Sequence, residues 1–362
     1  MSRPSCIRYL SCIVVTMLSL FATNTYAENV FYILRIQSPE RMSPVETSMA
    51  SLKNHINLIH ILVPQAYHID ENGIVSGVID DEVLAAAKKY SIKLMPLVTN
   101  SQFNKDKTHE FLTNKHAMSE AIQSLVTLCK KNNYYGLQLD FEMVNIEDKE
   151  ALTHFYSSVA KTLHSNGFKV SFALAPVVSL PPQPSVFLKR IYTNWEGAYD
   201  FKQLGDAADF LSLMAYNQHA GGTTPGTTAS YTWTEKAIQN ALKSIPANKI
   251  SLGIPSYSTY WYTGTSPINP DKIKAQSMGI DYKKAISIIH AHHGKINWDN
   301  IAKINFSIYE YNWLNEYIYL EDKKSLKAKL ALIKKYHLRG FSLFDLGSED
   351  PSIWSVLNNK KF

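Results

Sequence analysis

An amide and two acidic side chains occupy alternate positions in the apolar segment 135–142, which reads Y-G-L-Q-L-D-F-E. Because successive side chains of a β-strand point to opposite faces, Gln138, Asp140 and Glu142 should project to one side and the apolar residues between them to the other. Two neighbouring carboxyl groups can divide the roles of proton donor and electrostatic stabiliser. The pattern therefore predicts an acid/base row on one face of a strand.

The alternative interpretation of this segment is an amphipathic edge strand whose acidic face lies in water. The bulky apolar residues on its other face favour a buried strand instead. A polar stretch, residues 145–149, follows directly, so Glu142 should stand where the strand ends. In a barrel of parallel strands, catalytic residues lie at that C-terminal end.

Strand-like apolar segments alternate with amphipathic helical stretches along the chain, which predicts a closed parallel barrel of the (β/α)8, or TIM barrel, type. Such strands are mostly apolar throughout because helices cover the sheet. The strands are predicted at residues 30–36, 58–63, 93–98, 135–142, 169–175, 210–217, 250–255 and 340–346, and the main helices at 81–90, 115–130, 148–165, 233–244 and 326–337.

A small α+β insertion is predicted between the seventh and eighth strands, at about residues 262–320 of a domain spanning 28–362. The sequence becomes rich in Gly, Ser, Pro and Asn there, which indicates a break in the alternation. A helix-like stretch (283–293) and aromatic strand-like residues (308–319) follow.

Residues 1–27 have the composition of a signal peptide. Arg3 and Arg8 precede an apolar run at 13–22, and Thr-Tyr-Ala at 25–27 forms a plausible cleavage site. The alternative, a membrane anchor, is disfavoured because the apolar run is too short to span a bilayer. We expect a bacterial protein that is secreted or periplasmic and has no membrane anchor.

Charge and motif content exclude several functional classes. Two arginines leave with the signal peptide, so the formal net charge falls from +6 to +4, and no long lysine run indicates nucleic-acid binding.

Cys129 is then the one remaining cysteine, and it should be buried rather than disulfide-bonded. No zinc-protease, P-loop or dinucleotide motif is present, so we expect no metal and no cofactor. The histidines of H-A-H-H (290–293) lack a carboxylate at metal spacing and suggest a solvated helix end.

Blocks at residues 197–219, 233–261, 318–330 and 339–354, taken with 135–142, resemble glycoside hydrolase family 18, the chitinase-like family. The likeness extends from Leu58 to Trp354 with the blocks in the family's order, and it is greatest to the bacterial spore-germination or cortex-lytic branch. This resemblance implies an enzyme acting on glycans that contain N-acetylglucosamine.

The family signature D-G-x-D-x-D-x-E assigns roles to the acidic row. By resemblance, Glu142 is the general acid and Asp140 holds the acetamido group of the substrate. Gln138 replaces the innermost aspartate and Tyr135 the leading one. Since Gln138 removes a like charge, Asp140 should ionise more easily and stay a fixed anion, and Gln138 should position it by a hydrogen bond.

The family's M-x-Y-D block appears as Met214, Tyr216 and Asn217, so its aspartate has become an amide. The resemblance implies that Tyr216 fixes the acetamido oxygen and that Asn217 and Met214 line the substrate site. Phe344 stands where the family has a tryptophan under the central sugar.

Three aromatic residues are candidates for stacking on sugar rings: Tyr67, Trp261 and Phe344. A pyranose presents an apolar face to which an aromatic ring can pack. The alternative for each of the three is ordinary packing in the core.

The resemblance implies cleavage of β-1,4 bonds beside N-acetylglucosamine, with retention and attack by the substrate's own acetamido oxygen. The substrate could be peptidoglycan, a chitin-type oligosaccharide or an N-glycan core, and we expect a monomer. The rival function is a sugar-binding lectin that is catalytically weak or inactive. A surface interaction protein built on the same scaffold is the third alternative, because a fold does not determine a function.

Overall fold

The computed structural model describes residues 28–34, 45–179, 181, 184–220, 223–265 and 273–358. The predicted signal peptide, residues 1–27, lies outside the described residues. Of the predicted first strand, residues 30–34 are described, whereas residues 35 and 36 lie outside the described residues.

Eight parallel strands close into a barrel in which each strand pairs with its neighbours in chain order. The first strand pairs with both the second and the eighth, so the ring of eight strands is closed. The (β/α)8 barrel predicted from the sequence is confirmed. The strands, numbered first to eighth below, are Glu28–Ile33, Ile61–Ile69, Leu97–Asn100, Gly136–Asp140, Lys169–Leu174, Phe210–Leu213, Ile250–Pro255 and Gly340–Phe344.

Two short strands extend the second barrel strand: Lys93–Leu94 pairs with it in parallel, and Val75–Gly77 in antiparallel orientation. The sixth strand ends at Leu213, four residues before its predicted end at 217. Consequently Met214, Tyr216 and Asn217 follow the strand instead of forming part of it.

Helices surround the barrel and begin and end where local sequence provides caps. Helix Asp81–Tyr90 starts after Asp80, whose side chain accepts the Glu82 N–H, and ends at Ser91 in the left-handed region. No helix in the described part of the chain is long and apolar enough to cross a membrane. The other helices around the barrel are Val45–His55, Lys105–Thr113, Lys115–Asn132, Lys149–Ser165, Val186–Asn194, Phe201–Ala207, Tyr231–Ala241, Lys323–Tyr336 and Trp354–Leu357.

The alternation along the fourth strand separates two buried layers. Leu137 and Leu139 face outward into the layer between sheet and helices, as predicted. Cys129 is fully buried in the same layer, and burial raises the pKa of its thiol to about 12, so it behaves as a small apolar residue. Gln138, by contrast, is completely buried inside the barrel.

The insertion between the seventh and eighth strands is a five-stranded antiparallel sheet with helix Tyr282–Ala291 packed on one face. The predicted aromatic stretch 308–319 lies in a hairpin of two strands. The strands of the insertion are Ser258–Thr265, Ile273–Ile280, Asn297–Asp299, Ile304–Tyr311 and Leu314–Leu320.

A buried ion pair attaches the end of the insertion to the helix that follows it. Lys329 Nζ lies 2.9 and 2.7 Å from the two carboxylate oxygens of Glu321, and the two side chains are 2% and 3% exposed. Ser325 Oγ also donates to Glu321, at 2.8 Å. The Glu321 N–H donates to Ser258 Oγ at the start of the insertion, at 3.2 Å.

Replacing Lys329 by methionine should lower the free energy of unfolding by about 3–5 kcal/mol, because it leaves a buried carboxylate without its partner. Urea denaturation of the parent and of Lys329→Met measures the loss. The double variant Lys329→Met/Glu321→Leu should recover most of it, since an apolar pair needs no charge compensation. Parent-like stability of the single variant would contradict this role.

Candidate active site

The fourth strand delivers two carboxyl groups to the C-terminal mouth of the barrel. Asp140 is its last residue and is 7% exposed, so the strand ends two residues before its predicted end at 142, and Glu142 lies beyond it. Asp140 Oδ1 is buried and accepts no hydrogen bond from any described residue. An unpaired buried carboxylate oxygen is costly, which makes this atom a site for a donor from a ligand.

Burial dominates the acid–base behaviour of this pair. It raises the pKa of Glu142 to about 7. Burial, and then the charge of Glu142, raise the pKa of Asp140 well above its usual range. The expectation that Asp140 stays a fixed anion is therefore wrong, because burial outweighs the missing like charge at Gln138. The two carboxyl groups titrate as a coupled pair and hold a proton near neutral pH.

Gln138 lies below this pair in a buried hydrogen-bond network. Its Oε1 accepts from the Tyr32 hydroxyl at 2.6 Å. Its Nε2 donates to Ser171 Oγ at 2.8 Å and to Ser212 Oγ at 3.0 Å. Both amide hydrogens are thus used, and the predicted hydrogen bond from Gln138 to Asp140 is wrong.

Serine hydroxyls continue the network across the barrel. Ser212 Oγ lies 2.8 Å from Ser342 Oγ, which lies 2.6 Å from Ser251 Oγ. All three serines are at most 1% exposed. With Tyr32, Gln138 and Ser171 they join the first, fourth, fifth, sixth, seventh and eighth strands at the barrel centre.

The predicted residues after the sixth strand fall into two groups. Tyr216 approaches the carboxyl pair: burial and then neighbouring charges, including that of Asp140, raise the pKa of its hydroxyl well above the usual value. That hydroxyl therefore stays protonated and can donate. Met214 is buried. Asn217 is exposed, adopts a φ of 59°, which asparagine tolerates, and accepts a hydrogen bond from the Tyr257 hydroxyl.

Phe344 ends the eighth strand inside an aromatic cluster. Its ring stacks on Tyr216 with centroids 5.6 Å apart and planes at 24°. Tyr32 lies at 5.4 Å and Tyr257 at 6.4 Å. The structure thus brings Phe344 together with the residues around the carboxyl pair.

The other two candidates for sugar stacking are packing residues, so that prediction is wrong for Tyr67 and Trp261. A bulge between Gln65 and Tyr67 turns the Tyr67 side chain into the outer layer, where its hydroxyl lies 2.7 Å from that of Tyr134. Trp261 is 1% exposed, and its indole N–H donates to the Gly226 carbonyl at 2.9 Å.

Side chains that the sequence did not single out hold the backbone beyond the fourth strand. Tyr156 Oη accepts the Phe141 N–H at 2.9 Å, and Tyr199 Oη donates to the Phe141 carbonyl at 2.6 Å. Asn100 bonds the backbone of the next residue, Glu142. The position of Asn100 at the end of the third strand is a signal that could have identified it. The sequence contains no comparable signal for Tyr156 and Tyr199.

The histidine cluster in the insertion makes ring contacts. His292 stacks on Tyr309 at 4.8 Å and meets the edge of Tyr311 at 4.7 Å. Among the residues that the structure describes, no group of three or more His, Cys, Asp or Glu side chains could hold a metal ion.

Comparison with known proteins adds sequence relatives. The profile described as "Glycosyl hydrolases family 18" matches residues 49–350. The "Uncharacterized glycosylase YvbX" of Bacillus subtilis (strain 168) is 28% identical over 316 residues, which cover 86% of this chain and 87% of that protein. A "Cortical fragment-lytic enzyme" of the same organism is 28% identical over 272 residues, which cover 74% of this chain and 60% of that enzyme.

Solved structures share the fold. The spore cortex-lytic enzyme SleL of Bacillus megaterium QM B1551 superposes with a TM-score of 0.77 at 24% identity, covering 92% of this chain and 74% of that one. A chitinase from Chromobacterium violaceum ATCC 12472 gives a TM-score of 0.78 at 23% identity, covering 92% and 98%. At these identities the likeness shows the barrel architecture alone.

Replacing Glu142 by glutamine should stabilise the protein at alkaline pH. The raised pKa means that the folded state binds this proton more tightly than the unfolded state, so stability falls as the pH rises from about 4.5 through about 7. Glutamine keeps the shape without the charge. The melting temperature of Glu142→Gln should exceed that of the parent by a few degrees at pH 8 and approach it at pH 5. An equal difference at both pH values would contradict the raised pKa.

Proposed function

The chain belongs to glycoside hydrolase family 18 and is a glycosidase, and we propose that it is an exported enzyme that cleaves β-1,4 bonds beside N-acetylglucosamine with retention. The observation that carries this proposal is the pair of Asp140, which is buried, and Glu142, which is half-buried, at the barrel mouth, with raised pKa values and one carboxylate oxygen that has no partner among the described residues.

Glu142 is the proton donor in this mechanism. A carboxyl group with a pKa of about 7 keeps its proton in mildly acidic and neutral solution and can still release it to the leaving glycosidic oxygen. As the C1–O bond breaks, the acetamido oxygen of the substrate bonds to C1 and forms a cyclic oxazolinium. Water then attacks C1, the ring reopens, and Glu142 takes a proton from the water. Two displacements at C1 retain its configuration.

Asp140 supplies the charge that the oxazolinium needs. The acetamido N–H of the substrate would donate to Oδ1, the oxygen that has no partner among the described residues. A hydrogen bond to the ionised form lowers a carboxyl pKa, so substrate binding would favour the anion of Asp140 and leave the shared proton on Glu142. Binding thereby prepares the pair for proton donation.

Tyr216 orients the attacking group. Its protonated hydroxyl would donate to the acetamido oxygen and hold it against C1. The stacked contact with Phe344 restricts the ring of Tyr216, so this donor is fixed before substrate arrives. Asn217 and Phe344 would contact the sugar beside it.

Peptidoglycan is the substrate that we favour among glycans of this class. The relative named as a cortical fragment-lytic enzyme and the predicted export of this chain both support a cell-wall glycan. A lectin that had lost its catalytic acid would have no need of a proton donor with a raised pKa such as Glu142, so the site favours the enzyme over the lectin.

Glu142→Gln should lower kcat by about 10²–10⁴-fold, because it removes the proton donor and keeps its shape. Purified peptidoglycan and chitin oligosaccharides are the substrates, and mass spectrometry of the products measures the rate. Binding of the same glycans to the variant, followed by calorimetry, is the control and should persist. A variant that cleaves at the parent rate would exclude Glu142 as the acid and revive the lectin.

Cleavage should require the N-acetyl group of the sugar that carries the broken bond. The acetamido oxygen is the nucleophile in this mechanism, and a free amine cannot replace it. Chitin oligosaccharides and their fully deacetylated counterparts of equal length provide the comparison, and a thiazoline mimic of the oxazolinium should inhibit competitively. Equal rates on acetylated and deacetylated oligomers would exclude substrate-assisted attack.

A further inference from the structure

The proton donor lies beyond the sheet that carries it. Ladder pairing of the fourth strand ends with Leu139 opposite Phe172 and with Asp140 opposite Thr99. The peptide groups of Phe141 and Glu142 therefore have no strand partner, and side chains from other elements bond all four of their N–H and C=O groups. Buried backbone N–H and C=O groups need hydrogen-bond partners. An exposed loop usually obtains them from water, whereas in this segment side chains provide them.

Asn100 holds both backbone groups of Glu142 with one side chain. Its Oδ1 accepts the Glu142 N–H at 3.0 Å, and its Nδ2 donates to the Glu142 carbonyl at 2.9 Å. Two bonds to the same residue restrain the peptide groups on either side of the Glu142 Cα. The direction in which the carboxyl group leaves the backbone is thereby limited.

Asn100 is itself fixed in one orientation. The Thr108 hydroxyl donates to the Asn104 carbonyl at 2.7 Å, which leaves Thr108 Oγ1 as an acceptor for the second Asn100 Nδ2 hydrogen, at 2.8 Å. A flipped amide would set its oxygen against the Glu142 carbonyl and its NH2 group against the Glu142 N–H. Asn100 and Thr108 are only 2% and 3% exposed, so water does not compete.

We propose that Asn100 is a positioning residue for Glu142, acting on its backbone and not on the substrate. The proposal rests on the proposed function, in which Glu142 protonates the glycosidic oxygen. A proton donor must meet that oxygen at hydrogen-bond distance in the transition state, and a displacement of about 1 Å can cost about 10²-fold in rate. Loss of the clamp should therefore lower kcat while KM stays nearly constant.

Two variants separate positioning from mere stability. Asn100→Ala removes all three bonds. Asn100→Asp keeps the size and the acceptor, loses the donor to the Glu142 carbonyl, and places a negative charge beside Glu142. That charge should raise the pKa of Glu142 and move the basic limb of the kcat/KM profile to higher pH.

Asn114→Ala is the matched control. Asn114 also makes two bonds to backbone, accepting the His116 and Ala117 N–H groups at the start of helix Lys115–Asn132, each at 3.1 Å. Loss of this cap should lower the free energy of unfolding by about 1 kcal/mol, as for other helix caps, without any change in kcat.

Asn100→Ala should lower kcat by about 10–10²-fold on whichever of peptidoglycan or chitin oligosaccharide the parent cleaves, with KM within about twofold. Asn100→Asp should lower kcat and move the basic limb of the kcat/KM profile to higher pH. In a Glu142→Gln background, Asn100→Ala should lower the residual rate no further, since the two residues act as a unit.

A folded Asn100→Ala variant with the parent kcat, or a loss matched by Asn114→Ala, would overturn the positioning role. If Asn100→Ala does not fold, an Asn100→Asp variant with unchanged kcat and pH profile would overturn it equally. Both results leave the proposed function intact as long as Glu142→Gln is inactive. Parent-like activity of Glu142→Gln would overturn the function and the positioning role together.

Discussion

The need to pair every polar group at the dry centre of the barrel is the constraint from which the site follows. Gln138 meets it by using its oxygen and both amide hydrogens on Tyr32, Ser171 and Ser212. An unpaired group there would cost about 1–3 kcal/mol. Because this network is satisfied internally, it offers Asp140 no donor. The Asp140 carboxyl group above it keeps a buried oxygen without a partner among the described residues, and burial, followed by the charge of Glu142, raises its pKa.

The amide at position 138 also limits which groups can exchange protons. Where the family signature has an acid, this chain has a neutral side chain that cannot titrate. The shared proton is thus confined to Asp140 and Glu142, whose pKa values are both raised by burial. The serine hydroxyls can turn as donors or acceptors, which is why the barrel centre accommodates the amide.

Periodicity predicted the barrel well, because all-apolar strands alternating with amphipathic helices leave few other architectures. It also placed Asp140, since alternation along a strand is set by covalent geometry, whereas Glu142 lies two residues past the end of that strand. It failed at Tyr67, where one bulged residue reverses which side chains face inward. It failed at Trp261 because the loop that covers that ring lies 35 residues away in sequence. For Asp140, the sequence showed which charges lie nearby but not how deeply the carboxyl group is buried. Burial has the larger effect on its pKa.

Residues that determine geometry without touching substrate are the hardest to find from one sequence. Asn100, Tyr156 and Tyr199 come from the third strand, the helix after the fourth strand and the segment before the sixth. Each contributes to a backbone that the sheet no longer holds, so the position of Glu142 depends on how these separate elements dock. The ladder fixes Asp140 directly, whereas Glu142 is fixed by side chains of the neighbouring third strand and, through Phe141, of a helix and a loop. The two carboxyl groups, two residues apart, therefore owe their positions to different parts of the fold: one to the strand, the other to tertiary packing.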